Sequence, residues 1–277
     1  MIGITGPSGQ IGGLVARQLA GAGVTQRLLV RDAKKVLAVA GADVVVAGSY
    51  GDAVAWRRAL DGVDVLLMVS AQESTDRLAQ HFTFVDAAAA AGVQHVVYTS
   101  FFGAAPDATF TLARDHWATE ERIKASGLRF TFLRDNLYMD VLPYFAGEGA
   151  IRGPAGDGRL APVSRVDVSR VAVAALCDPV AHAGRTYDLT GPESLSFSEI
   201  AALLTASTGR PVRYEDETVD EAYASRAKYN APAWQVEAWV STYVAIRRGE
   251  MARVTGDVER VTRVPPVSFR NFLEGNR

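Results

Sequence analysis

Short apolar runs alternate along the first half of the chain with longer stretches whose apolar positions recur at helical spacing. The runs Ile2-Gly-Ile-Thr5, Arg27-Leu-Leu-Val30, Ala42–Ala47, Val63–Val69, His95–Ser100 and Leu128–Leu133 read as strands. Between them, the run after Gly12 through Leu14–Ala20, then Ala33–Ala40, Asp52–Leu60, Leu78–Ala91 (stopped by Gly92) and Arg114–Ser126 read as helices. Ala42–Ala47 is expected to be a short buried strand. Val63–Val69 is apolar throughout, as in a strand covered on both faces, and ends at Ser70 and Ala71. Such alternation predicts an α/β fold, a Rossmann-type, doubly wound parallel sheet with right-handed crossovers. Ligands of such sheets bind at the carboxyl ends of the strands, where strand order reverses.

The second half is less regular. Six glycines and prolines (Gly147, Gly149, Gly153, Pro154, Gly156, Gly158) make 146–161 loop-like, and the chain is expected to leave the sheet there. It returns through a helix at Val166–Leu176, begun by Asp167, and a strand at Arg185–Thr190. Ser196 with Glu199 forms a capping-box pattern opening a helix that ends at Gly209. The remainder reads as mostly helical. The expected organisation is a nucleotide-binding domain over 1–136, rejoined by 160–190, and a small C-terminal substrate lobe made of 137–159 and 191–277.

Gly6, Gly9 and Gly12 follow the first strand at the spacing G-x-x-G-x-x-G and lead into a helix. A backbone without side chains turns sharply there and approaches a pyrophosphate closely, while the helix start offers free N–H groups and the positive dipole end. Gly6, Ser8, Gly9, Gln10, Ile11 and Gly12 are therefore candidate cofactor contacts. The second strand ends in Arg31-Asp32, with Lys34 and Lys35 close behind. An arginine fork donates to an adenosine 2'-phosphate, whereas an acid accepts from a free 2'-hydroxyl. The basic excess here favours NADPH, held by Arg31 with Lys35 or Lys34 assisting. Ser70 and Ala71, at the fourth strand's end, complete the expected crevice.

Composition narrows the partners. The chain has 277 residues, 48% apolar and 22% charged, enough for a sizeable core, and its net charge of −2 gives no electrostatic reason to expect nucleic acid or an anionic membrane. A small-molecule partner and a monomer or homodimer are expected. One cysteine, Cys177, excludes an internal disulfide, and the chain opens on a core strand, so a cytoplasmic location is expected. His81, His95 and His182 show no metal-ligand spacing, and no metal is expected.

Thr5-Gly-Pro-Ser-Gly-Gln-Ile-Gly12, Val30-Arg-Asp32, Gly48-Ser-Tyr-Gly-Asp52, Tyr98-Thr-Ser100, Leu133-Arg-Asp-Asn-Leu-Tyr138 and Asp257-Val-Glu-Arg-Val-Thr-Arg-Val-Pro-Pro266 carry a resemblance. The sequence resembles the NmrA-like branch of the atypical short-chain dehydrogenase/reductases, and within it the type 2 NAD(P)H:quinone oxidoreductases and triphenylmethane reductase. The resemblance implies a glycine turn on the cofactor pyrophosphate, a basic residue on its 2'-phosphate at Arg31, and a serine at the strand end matched by Ser100. Asp52, closing one of the shared motifs, is a further candidate cofactor contact. Asn136, Leu137 and Tyr138 are implied to sit beside the nicotinamide.

Most short-chain dehydrogenases use Tyr-x-x-x-Lys on the helix after the fifth strand. Here Asp115-His-Trp-Ala-Thr-Glu120 stands in that place, putting His116 and Glu120 one helical turn apart. His116, its pKa raised by Glu120, is a candidate proton donor, beside Tyr138 and Asn136. Without the tyrosine–lysine pair, hydride transfer to an electron-poor conjugated acceptor such as a quinone fits better than alcohol oxidation, since proximity and orientation then carry most of the work. Phe101, Phe102, Trp117, Tyr144, Phe145, Trp234 and Trp239 are candidate aromatic walls. The expected function is an NADPH-dependent oxidoreductase acting on a conjugated acceptor. The alternative is a non-catalytic NADP(H) sensor of the NmrA type, binding a protein partner.

Overall fold

The computed structural model describes residues 1–35, 39–147 and 149–275. In chain order the elements are β1 (Ile2–Thr5), α1 (Gln10–Gly21), β2 (Gln26–Val30), β3 (Ala42–Val46), α2 (Ala53–Ala59), β4 (Val65–Met68), α3 (Arg77–Ala90), β5 (His95–Phe101), α4 (Thr111–Ala125), β6 (Arg129–Asp135) and α5 (Leu142–Phe145). There follow β7 (Ala150–Gly153), β8 (Arg159–Leu160), α6 (Arg165–Cys177), β9 (Arg185–Leu189), β10 (Leu195–Ser196), α7 (Phe197–Thr208), β11 (Arg213–Asp216), α8 (Val219–Arg226), α9 (Ala233–Arg247), α10 (Asp257–Thr262) and α11 (Phe269–Leu273). Short 3₁₀ turns lie at Ala33–Lys35, Met139–Val141 and Ala227–Tyr229.

Seven strands form one sheet in the order β3-β2-β1-β4-β5-β6-β9. β1 pairs in parallel with β2 on one side and β4 on the other, so strand order reverses beside β1 and opens a crevice at its carboxyl end. The central strands are apolar on both faces because helices cover both, and all four residues of β1 are buried. β3 departs from the expected buried strand. It pairs only with β2, at the sheet's edge, and leaves Val44 and Val46 exposed. The expected helix over 33–40 is a 3₁₀ turn through Lys35, and residues 36–38 fall outside the described ones.

The chain divides into two compact units. Unit 1 comprises residues 1–100, 115–134 and 168–187; unit 2 comprises 101–114, 135–167 and 188–277. Segments 101–114 and 160–167, read from sequence as part of the nucleotide-binding half, thus fall in unit 2. Phe101 and Phe110 pack on the unit 2 core, their ring centroids 4.7 Å apart, and Leu160 lies in that core. Unit 1 buries Leu29, Trp56, Leu66, Phe84, Tyr98 and Phe132 together, and unit 2 buries Leu142, Ile151, Phe197, Ile200, Ile246 and Phe269. Each such side chain contributes about 1.5–3 kcal/mol by leaving water. In unit 2, β7 and β11 form a parallel pair, and α7 and α8 both begin with capping boxes, Ser196 with Glu199 and Thr218 with Glu221. Gly209 closes α7 in the left-handed conformation at φ 69°. Among the described residues no helix is long and apolar enough to cross a membrane.

Candidate functional site

A cavity of about 670 Å³ opens in unit 1 at the carboxyl ends of β1, β2 and β4. Gly6, Pro7 and Ser8 form one wall, Arg31 and Asp32 another, and Ser70 to Ser74 a third. Gly6 turns the chain out of β1 at φ 59°, a conformation that a side chain disfavours. Gly9 then N-caps α1 without any side-chain cap, so the first N–H groups of the helix keep no intrahelical or capping acceptor. Gly12 lets the helix close on the turn: a Cβ there would stand 2.4 Å from the Gly6 carbonyl oxygen and 2.8 Å from that of Thr5. This combination suits a pyrophosphate, with donors at the helix end and no side chain in the way. Arg31 and Asp32 are both exposed at the β2 end.

The cavity floor is stitched together by residues distant in sequence. Thr5 Oγ1 donates to the Leu67 carbonyl at 3.1 Å and accepts from the Val69 N–H at 2.9 Å. Tyr50 Oη lies 2.6 Å from Thr5 Oγ1 and 2.8 Å from the Val69 carbonyl, and burial raises its pKa above the ordinary phenol value. The Ser70 N–H donates to Thr99 Oγ1 at 2.9 Å. Tyr50 itself packs on Trp56 and Phe84, with centroids 5.3 and 4.3 Å away.

The loop after β4 is clamped at Ala71. Its N–H donates to His81 Nε2 at 2.9 Å, and its carbonyl accepts from Arg77 Nε at 3.1 Å. His81 must therefore carry its proton on Nδ1, which faces Thr119 Oγ1 at 2.9 Å. Burial, with Arg77 nearby, pulls the His81 pKa down to about 3. Arg77 is 3% exposed, and its Nη2 donates to His116 Nε2 at 2.9 Å. His116 Nδ1 then holds the proton and donates to Tyr98 Oη at 3.0 Å. Sequence reasoning singled out neither Arg77 nor Tyr50. Tyr50 stands inside one quoted motif, but the clamp residues lie on α3 and α4, where no local pattern marks them.

Of the sequence-predicted cofactor residues, Gly6, Ser8, Arg31, Ser70 and Ala71 line this cavity. Gly9, Gln10, Ile11 and Gly12 form the helix start behind the turn. Asp52 instead caps α2, its Oδ1 accepting from the Ala55 N–H at 3.0 Å. Ser100 points elsewhere too: its hydroxyl donates to Glu120 Oε1 at 2.5 Å, and Arg134 grips the same carboxylate at 2.9 and 2.6 Å. The side chain of Lys35 lies outside the described residues.

The expected His116–Glu120 couple does not form as such. Glu120 is committed to Ser100 and Arg134, while burial and then the Arg77 charge hold the His116 pKa well below the ordinary imidazole value. The expectation that Glu120 raises the His116 pKa and charges it for proton donation is thereby corrected. Asn136 anchors the exit from β6: Nδ2 donates to the Met251 carbonyl at 3.0 Å and Oδ1 accepts from the Leu137 N–H at 2.8 Å. Tyr138 is placed differently. Its hydroxyl donates to Asp135 Oδ2 at 2.8 Å, and Arg165 covers its ring at 4.6 Å. Burial pushes the Asp135 carboxyl well above the carboxylate range, against the opposing pull of Tyr138 and Arg165. The Tyr138 hydroxyl is also held well above the phenol range, by burial and by Asp135. Tyr144, Phe145 and Trp239 meet around a second cavity, in unit 2, whose lining does not include Trp234.

These features can be set beside known proteins. The model of the NmrA-like family matches residues 1–247. The chain belongs to the NmrA-like family. This NmrA-like chain is 37% identical to the (4-alkanoyl-5-oxo-2,5-dihydrofuran-3-yl)methyl phosphate reductase of Streptomyces griseus subsp. griseus, over 98% of its length and 96% of the relative's. It is 31% identical to the NAD(P)H azoreductase of Xenophilus azovorans, over 100% and 98% of the two chains. Among solved structures it is similar to the NADPH-dependent quinone oxidoreductase QOR2 of Escherichia coli complexed with NADPH, with a TM-score of 0.90, 28% identity and 99% of each chain covered. The family, Rossmann-type fold, reductase class and nicotinamide cofactor expected from the sequence all agree with these relatives.

Proposed function

We propose that the protein is a cytoplasmic NADPH-dependent reductase that delivers hydride to a small conjugated acceptor: a quinone, an azo compound or an unsaturated carbonyl compound. The observation that carries this reading is the cavity at the β1, β2 and β4 ends, with its glycine turn, uncapped helix start and Arg31, in a chain of this family. When bound, NADPH supplies the hydride. The α1 N-terminus and the Gly6–Ser8 turn would hold its pyrophosphate, and Arg31 its 2'-phosphate. The Arg77–Ala71–His81 clamp keeps the opposite wall in place, a form of preorganisation that orients what binds.

Conjugated acceptors suit the remaining residues. Hydride delivered into such a system leaves delocalised charge, which asks little of an acid catalyst. His116, neutral and bonded at both ring nitrogens, supports no such role. Among the residues expected beside the nicotinamide, Tyr138 is the remaining candidate proton donor, its hydroxyl donating to Asp135 Oδ2 at 2.8 Å. In that role Tyr138 Oη gives its proton to the reduced acceptor and is reprotonated from solvent. All three relatives described above are named as reductases, and one acts on a 5-oxo-2,5-dihydrofuran. The cofactor-sensing alternative has no comparable support.

The test is a panel of 1,4-benzoquinone, an azo dye, an unsaturated lactone and a simple aldehyde, with NADPH absorbance followed against an enzyme-free control and no metal or flavin added. Oxidation of NADPH by the conjugated members and not by the aldehyde supports the reading. Tight NADPH binding with no oxidation by any acceptor would overturn it in favour of the sensor.

A further inference from the structure

The backbone of unit 2 sets Tyr138 beside the start of α6. Tyr138 and Val163 form a parallel bridge, in which the Val163 N–H donates to the Leu137 carbonyl and the Met139 N–H donates to the Val163 carbonyl, both at 2.9 Å. Two residues beyond Val163, Arg165 opens α6, and its guanidinium lies over the Tyr138 ring, 4.6 Å from the centroid. Asp140, in the 3₁₀ turn that follows Tyr138, pairs with Arg165 Nη1 at 3.4 Å. The side chains of this pair are 20% and 23% exposed, so salt screens them less than it would a surface pair.

Asp135 from β6, Asp140 from the 3₁₀ turn and Arg165 from α6 are the charged groups that act on this phenol. Asp135 is buried and accepts from the hydroxyl at 2.8 Å, while Asp135 Oδ1 and Asp140 Oδ2 are buried with no hydrogen-bond partner among the described residues. Burial and then Asp135 hold the Tyr138 hydroxyl well above the phenol range, and Arg165 pulls the other way. Both carboxyl groups therefore oppose loss of the phenolic proton, and of the three groups only Arg165 favours it. A phenol that gives its proton to an acceptor passes through a phenolate, and an anion formed away from water is costly unless a cation stands against it. The guanidinium over the ring attracts the neutral phenol weakly and the phenolate strongly, so the contact gains most when the proton has left.

We propose that Arg165 is a positioning residue for the reduction of neutral acceptors: it holds the Tyr138 ring and stabilises the phenolate that remains when Tyr138 gives up its proton. This rests on the reading of Tyr138 as proton donor. A quinone that takes up the hydride, which NADPH supplies in the proposed reaction as it becomes NADP⁺, is reduced to a hydroquinone anion. The Tyr138 O–H bond then breaks, the proton passes to the oxygen of that anion, the electron pair stays on Tyr138 Oη, and solvent returns a proton to it. A triarylmethyl cation becomes neutral on taking up hydride and draws no proton. Arg165 therefore acts on the first class of acceptor through Tyr138 and has no such part in the second.

The test measures kcat with NADPH for 1,4-benzoquinone and for malachite green, a triarylmethyl cation, in the wild type, Arg165→Met, Arg165→Lys, Tyr138→Phe and the combination of Arg165→Met with Tyr138→Phe. Arg165→Met is expected to lower the ratio of quinone to dye turnover about tenfold or more, while Arg165→Lys, which keeps the charge, stays within about threefold of the wild type. In the Tyr138→Phe background Arg165→Met should cost no more than about twofold in quinone turnover, because the phenolate it serves is gone. Arg165→Gln, which keeps polar donors and lacks the charge, gives the same reading if Arg165→Met fails to fold. Quinone and dye turnover that fall in step, or an equal loss with and without the Tyr138 hydroxyl, would overturn the proposal and leave the reductase reading standing. Quinone turnover that Tyr138→Phe leaves at the wild-type rate removes Tyr138 as donor, and the role of Arg165 with it. NADPH that binds the wild type yet is oxidised by neither acceptor defeats the reductase reading itself, and the assignment of Arg165 falls with it.

Discussion

Replacing Gly12 by alanine probes the turn on which the proposed cofactor cavity is built. The added Cβ would lie 2.4 Å from the Gly6 carbonyl oxygen, 2.7 Å from its carbon and 2.8 Å from the Thr5 carbonyl oxygen. All three are backbone atoms, so no side chain can rotate aside; either α1 lifts from the turn or the turn moves. Overpacking of this kind costs about 1–3 kcal/mol, and an unyielding backbone places the change near the upper end. Alanine's better helix propensity returns about 1 kcal/mol, for a net loss near 2 kcal/mol. For a chain of this size that lowers the melting temperature by about 4–8 °C. Movement of the turn also displaces Gly6 and Ser8 on the cavity wall, so the NADPH dissociation constant should rise about tenfold or more. Gly9→Ala is the control: its Cβ meets only the Gly6 carbonyl oxygen, at 3.3 Å, and should change stability by no more than about 1 kcal/mol. Thermal melts and calorimetric titration with NADPH read both quantities. A Gly12→Ala protein that melts and binds as the wild type does would refute the argument.

Three further outcomes are expected. Arg31→Ala removes a charge-assisted donor at an exposed position, so NADPH affinity should fall about tenfold with NADH little changed, and equal losses in parallel titrations would remove Arg31 from the 2'-phosphate. His95 is fully buried against Thr131 Oγ1 at 2.8 Å, with its pKa pulled down to about 4 by burial. Its folded pKa lies below its unfolded value near 6.5, so the unfolded chain binds the extra proton and stability falls as pH drops from about 6.5 toward 4, by about 1.4 kcal/mol per unit. His95→Gln should remove about 2 kcal/mol of the loss between pH 6.5 and 5, read by urea unfolding at the two pH values, and an unchanged pH dependence would contradict the assignment. Tyr138→Phe should slow turnover of conjugated acceptors by about ten- to hundredfold with NADPH affinity kept, and an unaltered kcat across the pH range would remove Tyr138 from proton transfer.

Features set by residues adjacent in sequence were legible without coordinates. The strand–turn–helix at Gly6 to Gly12 follows from an apolar run, small residues and a helical pattern in succession. The Ser196–Glu199 capping box and the Gly209 stop are likewise local, because a helix end is satisfied by groups three or four residues away. The parallel sheet followed from alternation alone, since buried strands and amphipathic crossovers leave few other arrangements.

What the tertiary structure decided are the partners of polar side chains, which come from distant parts of the chain. The i and i+4 spacing of His116 and Glu120 put them on one helix face, yet Arg77 from α3 and Arg134 from β6 claim one each. A buried carboxylate gains more from a guanidinium fork than from an imidazole that must be charged at the cost of its own desolvation. Ser100 is drawn to Glu120 for the same reason, and Asp52 to the open end of α2. β3 reads as a buried strand because its composition is apolar, but burial depends on having neighbours on both sides, and the strand order leaves it at the edge. Sequence alone therefore determined the fold and the position of the glycine turn at the end of β1. Which carboxylate each arginine meets, as with Arg134 on Glu120 and Arg226 on Glu217, was decided only by the folded chain.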